Sequence, residues 1–478
     1  MRILPAILAA LIAAAAHGSS PDTQPGPTLA ASAALDVTAP RPIAVVIEDY
    51  VRVGLQSNLA LRSAALDVAQ GEAALDAARG RFFPEASLSA RYTQAEGGRE
   101  ISLPLGAVLN PVYGTLNELL VASGAAPRFG TLEDPRFLLQ REREQDSRLI
   151  VRQALFAPAI PAAVRAQRAV LEASEFNRVA LEHRLRRDIT VGYLDWLRAI
   201  GVLSILEASR TLLEENLRVT EALFRSGKIT QDQLLRARAE RLAVEQQFVE
   251  AGQGSRRLQS YLNFLLNRSL DTPLEQASID DELGHAGADL EVLRTAALAQ
   301  RPEIGQLDRA VRAAEARRAV AQAARWPTLA LGIDGGIQGE RYEFGRGRNF
   351  ATVSVLLNWT LLDGGSRRAE VRGARLAEQQ LRLQREQLTE QIRLEVQQAL
   401  DALAASVASL RTAQARAEAA QAAFRIVSRK RDEGVVSQVE FLDARTSLTA
   451  AELNLQGVRL DVLARQADLD YITGLPTS

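Results

Sequence analysis

Apolar positions recur along this chain with two distinct periods. After Pro327, Leu329, Leu331, Ile333 and Ile337 alternate with Thr328, Ala330, Gly332 and Asp334. Before Asp363, Val353, Val355, Leu357, Trp359 and Leu361 alternate with Thr352, Ser354, Asn358 and Thr360, with a break at Leu356. A period of two with one apolar face predicts strands, and about ten residues is the length a tilted bilayer-crossing strand needs. A weaker version occurs earlier, with Ala86, Leu88, Ala90 and Tyr92 on one predicted strand and Leu149, Val151 and Leu155 on a returning one. The second period alternates between three and four. It runs from Thr389 and Ile392 through Val396, Ala399, Leu403 and Leu410 to Val427, and from Leu185 and Ile189 through Gly192, Trp196, Leu206 and Leu213 to Phe224. This is a coiled-coil seam sustained for about six heptads. Helices running from near residue 158 or 366 to turns near 226 or 433 would each reach about 100 Å.

The two sets of elements are copies. Asn58 through Phe83-Pro84 corresponds to Arg301 through Trp326-Pro327 at an offset of 243. Further on the offset is 206 to 207: Ala154-Leu155-Phe156 corresponds to Thr360-Leu361-Leu362, and Arg225-Ser226-Gly227 to Asp432-Glu433-Gly434. The fall in offset predicts an insertion of about 37 residues between the first pair of strands, a length usual for functional or mobile loops. That insertion falls in 97–144, where Asn110-Pro111, Gly114 and Pro127 mark turns and Leu116 to Val121 is apolar. A cap over a barrel mouth and an irregular surface loop are both open for it. The expected organisation is a signal peptide over 1–18, a flexible segment over 19–42, and structural repeats over 43–270 and 271–478. Each repeat would hold a helix, two strands and a long helical hairpin.

The leader reading rests on Met1-Arg2 followed by an apolar run from Ile3 to Ala16, too short for a membrane helix. No later stretch reads as long and apolar enough to cross a bilayer as a helix, so membrane residence requires a barrel. Four strands with open edges cannot satisfy their backbone in lipid. Closure therefore requires several chains, and three would give twelve strands.

Composition narrows the chemistry. With 57 basic and 58 acidic residues, the chain lacks the basic excess that a nucleic-acid partner demands. It has no cysteine and only one methionine, which excludes disulfides, thiolate metal sites, cysteine nucleophiles and a lipidated cysteine anchor. His183 and His285 have no ligand-spaced companion, and the Gly-rich stretches 332–336 and 345–348 do not have phosphate-cradling spacing. No enzyme and no cofactor are expected.

Several segments resemble the TolC-like outer-membrane factors of drug efflux and type I secretion. Trp359-Thr360-Leu361-Leu362-Asp363-Gly364-Gly365 is similar to that family's turn from the last strand into a long helix. Phe82-Phe83-Pro84 and Arg325-Trp326-Pro327 resemble its helix-to-strand steps, Gly227-Lys228-Ile229-Thr230 and Gly434-Val435-Val436-Ser437 its two hairpin tips, and 442–448 the start of its last helix. The resemblance covers about Val45 to Leu475. It implies a mainly α chain with a membrane β part: a homotrimeric twelve-stranded barrel, four strands per chain, continued by an α-helical coiled-coil barrel into the periplasm of a Gram-negative bacterium. It also implies an outer-membrane location in contact with lipid, a periplasmic adaptor (membrane fusion) protein, and an inner-membrane pump reached through it. Glu440 and Asp443, three residues apart on one helix face, would ring a cation-binding periplasmic gate, and the first-copy equivalents Gln233 and Arg236 would not. Gly227, Thr230, Gly434 and Ser437 would dock the adaptor, although helix capping alone accounts for those residue types. The rival reading is a soluble periplasmic coiled-coil scaffold or adaptor.

Overall fold

The computed structural model describes residues 41–139, 141–278 and 289–475. The expected leader, nearly all of the segment expected over 19–42, and His285 lie outside them. The described chain begins with helices α1 (Ile43–Ser57) and α2 (Leu59–Gly80), strand β1 (Glu85–Gln94) and short strand β2 (Glu100–Ser102). Helix α3 (Leu105–Ala122), short strand β3 (Arg136–Leu138) and strand β4 (Arg143–Phe156) follow, then the helical hairpin α4 (Ala159–Arg225) and α5 (Gln231–Leu265). The second half holds α6 (Leu290–Gln300), α7 (Pro302–Ala323), β5 (Thr328–Gly339), β6 (Asn349–Asn358), and the hairpin α8 (Ser366–Asp432) and α9 (Gln438–Thr473).

The four long strands form one antiparallel sheet in the order β1-β4-β5-β6. The first hairpin therefore joins the second through β4 and β5, while β1 and β6 each leave one edge unpaired among the described residues. Strand lengths of 10, 14, 12 and 10 residues suffice to cross a bilayer at a tilt. Register sorts the side chains cleanly. Leu88 and Tyr92 on β1, Leu149 and Val151 on β4, Leu331 and Ile333 on β5, and Val353 and Val355 on β6 share one face. Leu88 at 78% and Val353 at 70% exposed show that no described residue covers it. The other face carries Ser87, Ser89, Arg91, Asp146, Arg148, Asp334, Thr352 and Ser354. There Asp146, 5% exposed, pairs with Arg148 and with Arg91 at 3.6 Å. Phe82, Phe83, Trp326 and Trp359 stand exposed at the sheet's helical end, where amphipathic rings suit a membrane–water boundary.

The stretch around Asp363 turns the sheet into α8. Gly364 and Gly365 both take positive φ, 62° and 92°, a conformation open to glycine at little cost. One Asp363 oxygen accepts from the Gly365 amide at 3.1 Å and the other from the Arg367 amide at 3.1 Å and the Arg367 Nε. The Arg367 side-chain bond, helped by these amides, holds the Asp363 carboxyl down to about 2. Its ionised form thus supports the turn above the ordinary aspartate range and is lost as pH falls through about 2. Arg367 also donates to the Ala324 carbonyl at 3.2 Å, and the Trp359 indole to that of Arg325 at 3.2 Å, tying the start of α8 to the end of α7.

Helices α4 and α8 are each 67 residues long, which at 1.5 Å per residue is about 100 Å. Their seams are packed as the spacing predicts: Ile189, Leu206 and Leu213 on α4, and Ile392, Val396, Leu403 and Leu410 on α8, are buried. One stretch of α4 departs from expectation, having a mean hydropathy of 1.5 and the length to cross a membrane. Its Ile189, Tyr193, Leu194, Trp196 and Leu197 are buried against α1, α5 and α9, so their apolar character is that of a core at the mid-length collar. Where α1 meets α2, the Asn58 side chain accepts from the Ala60 and Leu61 amides and donates to the Leu265 carbonyl at 2.9 Å. The matching joint of α6 and α7 uses Arg301, whose burial opposes its charge. Ion pairs with Glu303 and Glu395 more than offset that, raising its pKa.

The insertion in the first half is ordered. Strands β2 and β3 pair as a ribbon beyond β1 and β4, and α3 lies at its end. The sequence marks turns and an apolar piece here but does not announce a helix, because Pro111 sits inside it and a proline argues against an interior helical position.

Arginine at Val353, in the middle of the uncovered apolar face, is expected to cost the barrel about 2–4 kcal/mol. Arginine at Ser354, on the opposite face, is expected to be tolerated. Thermal dissociation of the assembled protein on semi-native gels distinguishes the two variants, and equal losses would refute the assignment of faces.

Candidate functional site

The turn between α4 and α5 contains Gly227 and Thr230; the turn between α8 and α9 contains Gly434 and Ser437. Each long helix stops in the same way. Gly227 (φ 72°) and Gly434 (φ 76°) adopt the left-handed conformation. The Gly227 amide donates to the Phe224 carbonyl and the Lys228 amide to that of Leu223; Gly434 and Val435 repeat the pattern on Arg431 and Lys430, at 2.9–3.0 Å throughout. This double bond is the Schellman termination, which satisfies carbonyls left over at a helix end.

The returning helices start differently. Ser437 closes a capping box on α9: its hydroxyl accepts from the Glu440 amide at 3.3 Å, and the Glu440 carboxylate accepts from the Ser437 amide at 3.2 Å. Thr230 has extended backbone at the N-cap of α5, but its side chain caps no backbone amide. Its hydroxyl bonds the Asp232 carboxyl instead and lowers that pKa.

Glu440 and Asp443 are both exposed on the first turns of α9, three residues apart. Glu440 also has a structural job in the capping box. Their counterparts on α5 are the half-buried Gln233 and the exposed Arg236, so only one tip presents paired carboxylates.

One cluster escaped the sequence reading. Asn216 on α4 is 2% exposed, and its Oδ1 accepts from Arg431 Nη2 at 2.5 Å and from Gln438 Nε2 at 3.2 Å. The Arg431 guanidinium lies 3.9 Å from the centre of the buried Phe441 ring, which meets Phe424 at 5.7 Å. Arg445, 7% exposed, stacks over Phe424 at 5.5 Å. Burial lowers the pKa of Arg431 and of Arg445, yet guanidinium remains charged at any physiological pH. The cluster holds the first hairpin to both helices of the second. A usable signal was a polar Asn216 three residues after Leu213 in the α4 seam.

Residues 293–475 match the family model described as outer membrane efflux protein. That match is confined to the C-terminal part of the chain and takes in less than half of it. Solved structures give the same fold along nearly the whole chain. The Campylobacter jejuni CmeC outer membrane channel is 18% identical with a TM-score of 0.75, over 93% of this chain and 90% of its own. The outer membrane protein VceC from Vibrio cholerae is 16% identical with a TM-score of 0.72, over 90% of this chain and 96% of that one. The open-state Neisseria gonorrhoeae MtrE outer membrane channel is 18% identical with a TM-score of 0.70, over 90% and 89% respectively. No curated protein matches this chain by sequence. Outer membrane efflux proteins are channels rather than enzymes, and work as homotrimers with adaptor and pump partners. The match and the shared fold support an outer-membrane location for this chain. A soluble scaffold would have no use for the uncovered apolar face of its sheet.

Replacing Ser437 by alanine removes the hydroxyl half of the capping box and should cost about 1 kcal/mol of local stability. Thr230→Ala should cost less, since Thr230 caps no amide. Hydrogen exchange of the two tip peptides reads the difference as faster exchange at the start of α9 in the first variant alone.

Proposed function

We propose that three copies of this chain form a passive conduit from periplasm to exterior, the outer-membrane component of a tripartite efflux or type I secretion system. The observation that carries the reading is the four-stranded sheet with one uncovered apolar face and unpaired edges at β1 and β6. In lipid such edges must be paired, and pairing β1 of one copy with β6 of the next closes a twelve-stranded barrel. On this reading residues 43–270 and 271–478 act as two repeats, each supplying one β-hairpin and one helical hairpin to the wall. Energy comes from an inner-membrane pump, joined through a periplasmic adaptor. The channel opens at the periplasmic end as the hairpins untwist, the coiled seam having two packings.

Glu440 and Asp443 are the proposed gate residues. Three chains would bring six carboxylates around one constriction, which attracts cations and repels anions. The exposure of both groups on one face of α9 supports this. The detergent-extracted protein should run as a trimer and form channels in planar bilayers that trivalent cations block from the periplasmic side. Glu440→Ala combined with Asp443→Ala should weaken that block markedly. A monomer without conductance would refute the conduit, whereas unchanged block in the variant would remove only the gate.

The two turns, with Gly227 and Thr230 on one and Gly434 and Ser437 on the other, are the proposed adaptor contacts. All four are exposed at the ends of the hairpins, where a partner reaches them without disturbing the seam. Bulky replacements at Gly434 and Ser437 together should abolish export in cells while detergent-extracted trimer is retained. Export at the parental rate would place docking elsewhere.

A further inference from the structure

The β1–β4 insertion holds the least expected surface of the molecule. Helix α3 presents one face to its own returning chain. The Gly106 amide donates to Asp134 Oδ1 at 2.7 Å, Asn110 exchanges bonds with the backbone of Leu132, and Asn117 does so with that of Arg128 and Phe129. Tyr113 stacks on Phe129 at 5.1 Å. These residues are spaced four, three and four apart, so they fix one side of the helix and fix the loop as an ordered unit. The approach is close: a β-carbon at Gly106 would lie 2.4 Å from the Leu132 carbonyl oxygen.

The opposite side has no partner among the described residues. Val108, Val112 and Leu119 are 64%, 52% and 62% exposed, at the spacing of one helical stripe. Glu118 is the only charged residue in the 18 residues of α3, which contain no Lys, Arg or Trp. A helix that lies on a membrane surface has a basic polar face and interfacial aromatics; this one has no basic residue, its one aromatic, Tyr113, is stacked on Phe129 on the clamped side, and its single acidic group disfavours anionic headgroups. A protein surface is the better match.

Connectivity says which protein. The insertion springs from β1, the edge strand, so its root lies at the seam where a neighbouring copy must pair. Twelve strands spaced about 4.8 Å apart and tilted about 40° enclose a mouth about 24 Å across, and 18 residues of helix span about 27 Å. Each α3 is therefore long enough to reach across the mouth from its rim. We infer that the Val108–Val112–Leu119 face of α3 packs against the same face of α3 in the neighbouring copies, forming a contact over the extracellular mouth. This rests on the trimeric reading above.

The cysteine-free chain makes the test direct. Val112→Cys and Leu119→Cys are made separately, with Glu118→Cys, about a quarter-turn off the stripe, as comparison. Each is oxidised in outer-membrane vesicles after the detergent-extracted protein has been shown to be a trimer. The stripe variants should yield a covalent dimer on non-reducing gels as the main species, and Glu118→Cys little. Equal cross-linking at Glu118 would mean random collision of mobile loops and overturn the contact. Stripe cysteines that fail to cross-link overturn it too, whether they react freely with a water-soluble maleimide (a bare face) or only after detergent is added (a lipid-covered face). A monomer would overturn the trimeric reading and this contact with it.

Discussion

Unpaired backbone groups at the edges of a sheet are the constraint on which this molecule depends. Water satisfies such edges in a soluble protein, and lipid cannot. The strands β1 and β6 flank a sheet whose exposed face is apolar, so the fold is complete only when other copies supply the missing hydrogen bonds. On the proposed trimeric reading, assembly is the condition for satisfying that backbone in lipid.

The helical part solves a different problem with the same economy. A helix of 67 residues has no core of its own and is held by a seam. Small residues such as Ala413 and Ala417 let neighbouring helices approach, and larger ones such as Leu403 interlock. The strongest apolar packing, around Tyr193 and Trp196, lies at mid-length where α1, α5 and α9 converge on α4. Towards the tips the interior turns polar, with Asn216, Arg431 and Arg445 replacing aliphatic residues. Guanidinium groups stacked on Phe424 and Phe441 gain from ring faces but leave Arg445 Nε without a hydrogen-bond partner. Contacts of this kind interlock less tightly than packed leucines.

Much of this architecture was legible before any coordinates. The two-residue alternation at 328–337 and 352–361 located β5 and β6 and their apolar face, and the three-and-four spacing located α4 and α8. The tip glycines and Ser437 were legible because left-handed turns and N-caps restrict residue type severely. The helix α3 was not, because its order comes from Asn110 and Asn117 clamping the non-regular backbone around Phe129 and Leu132, more than ten residues away, and spacing along the chain does not encode such pairing. The Asn216–Arg431–Gln438 cluster joins residues over 200 positions apart and was invisible for the same reason.

By itself the sequence determined what is periodic and local: two strand pairs, two long seams, their duplication, and the impossibility of a lone four-stranded sheet in lipid. Only the tertiary structure decided which strand pairs with which, that Glu440 is also a capping residue, and that the insertion is an ordered helix with a bare apolar side. The division follows from the physics. Periodicity arises from backbone geometry repeated every few residues and is therefore written along the chain. Contacts between distant segments depend on how whole elements dock, and a linear pattern holds no record of that.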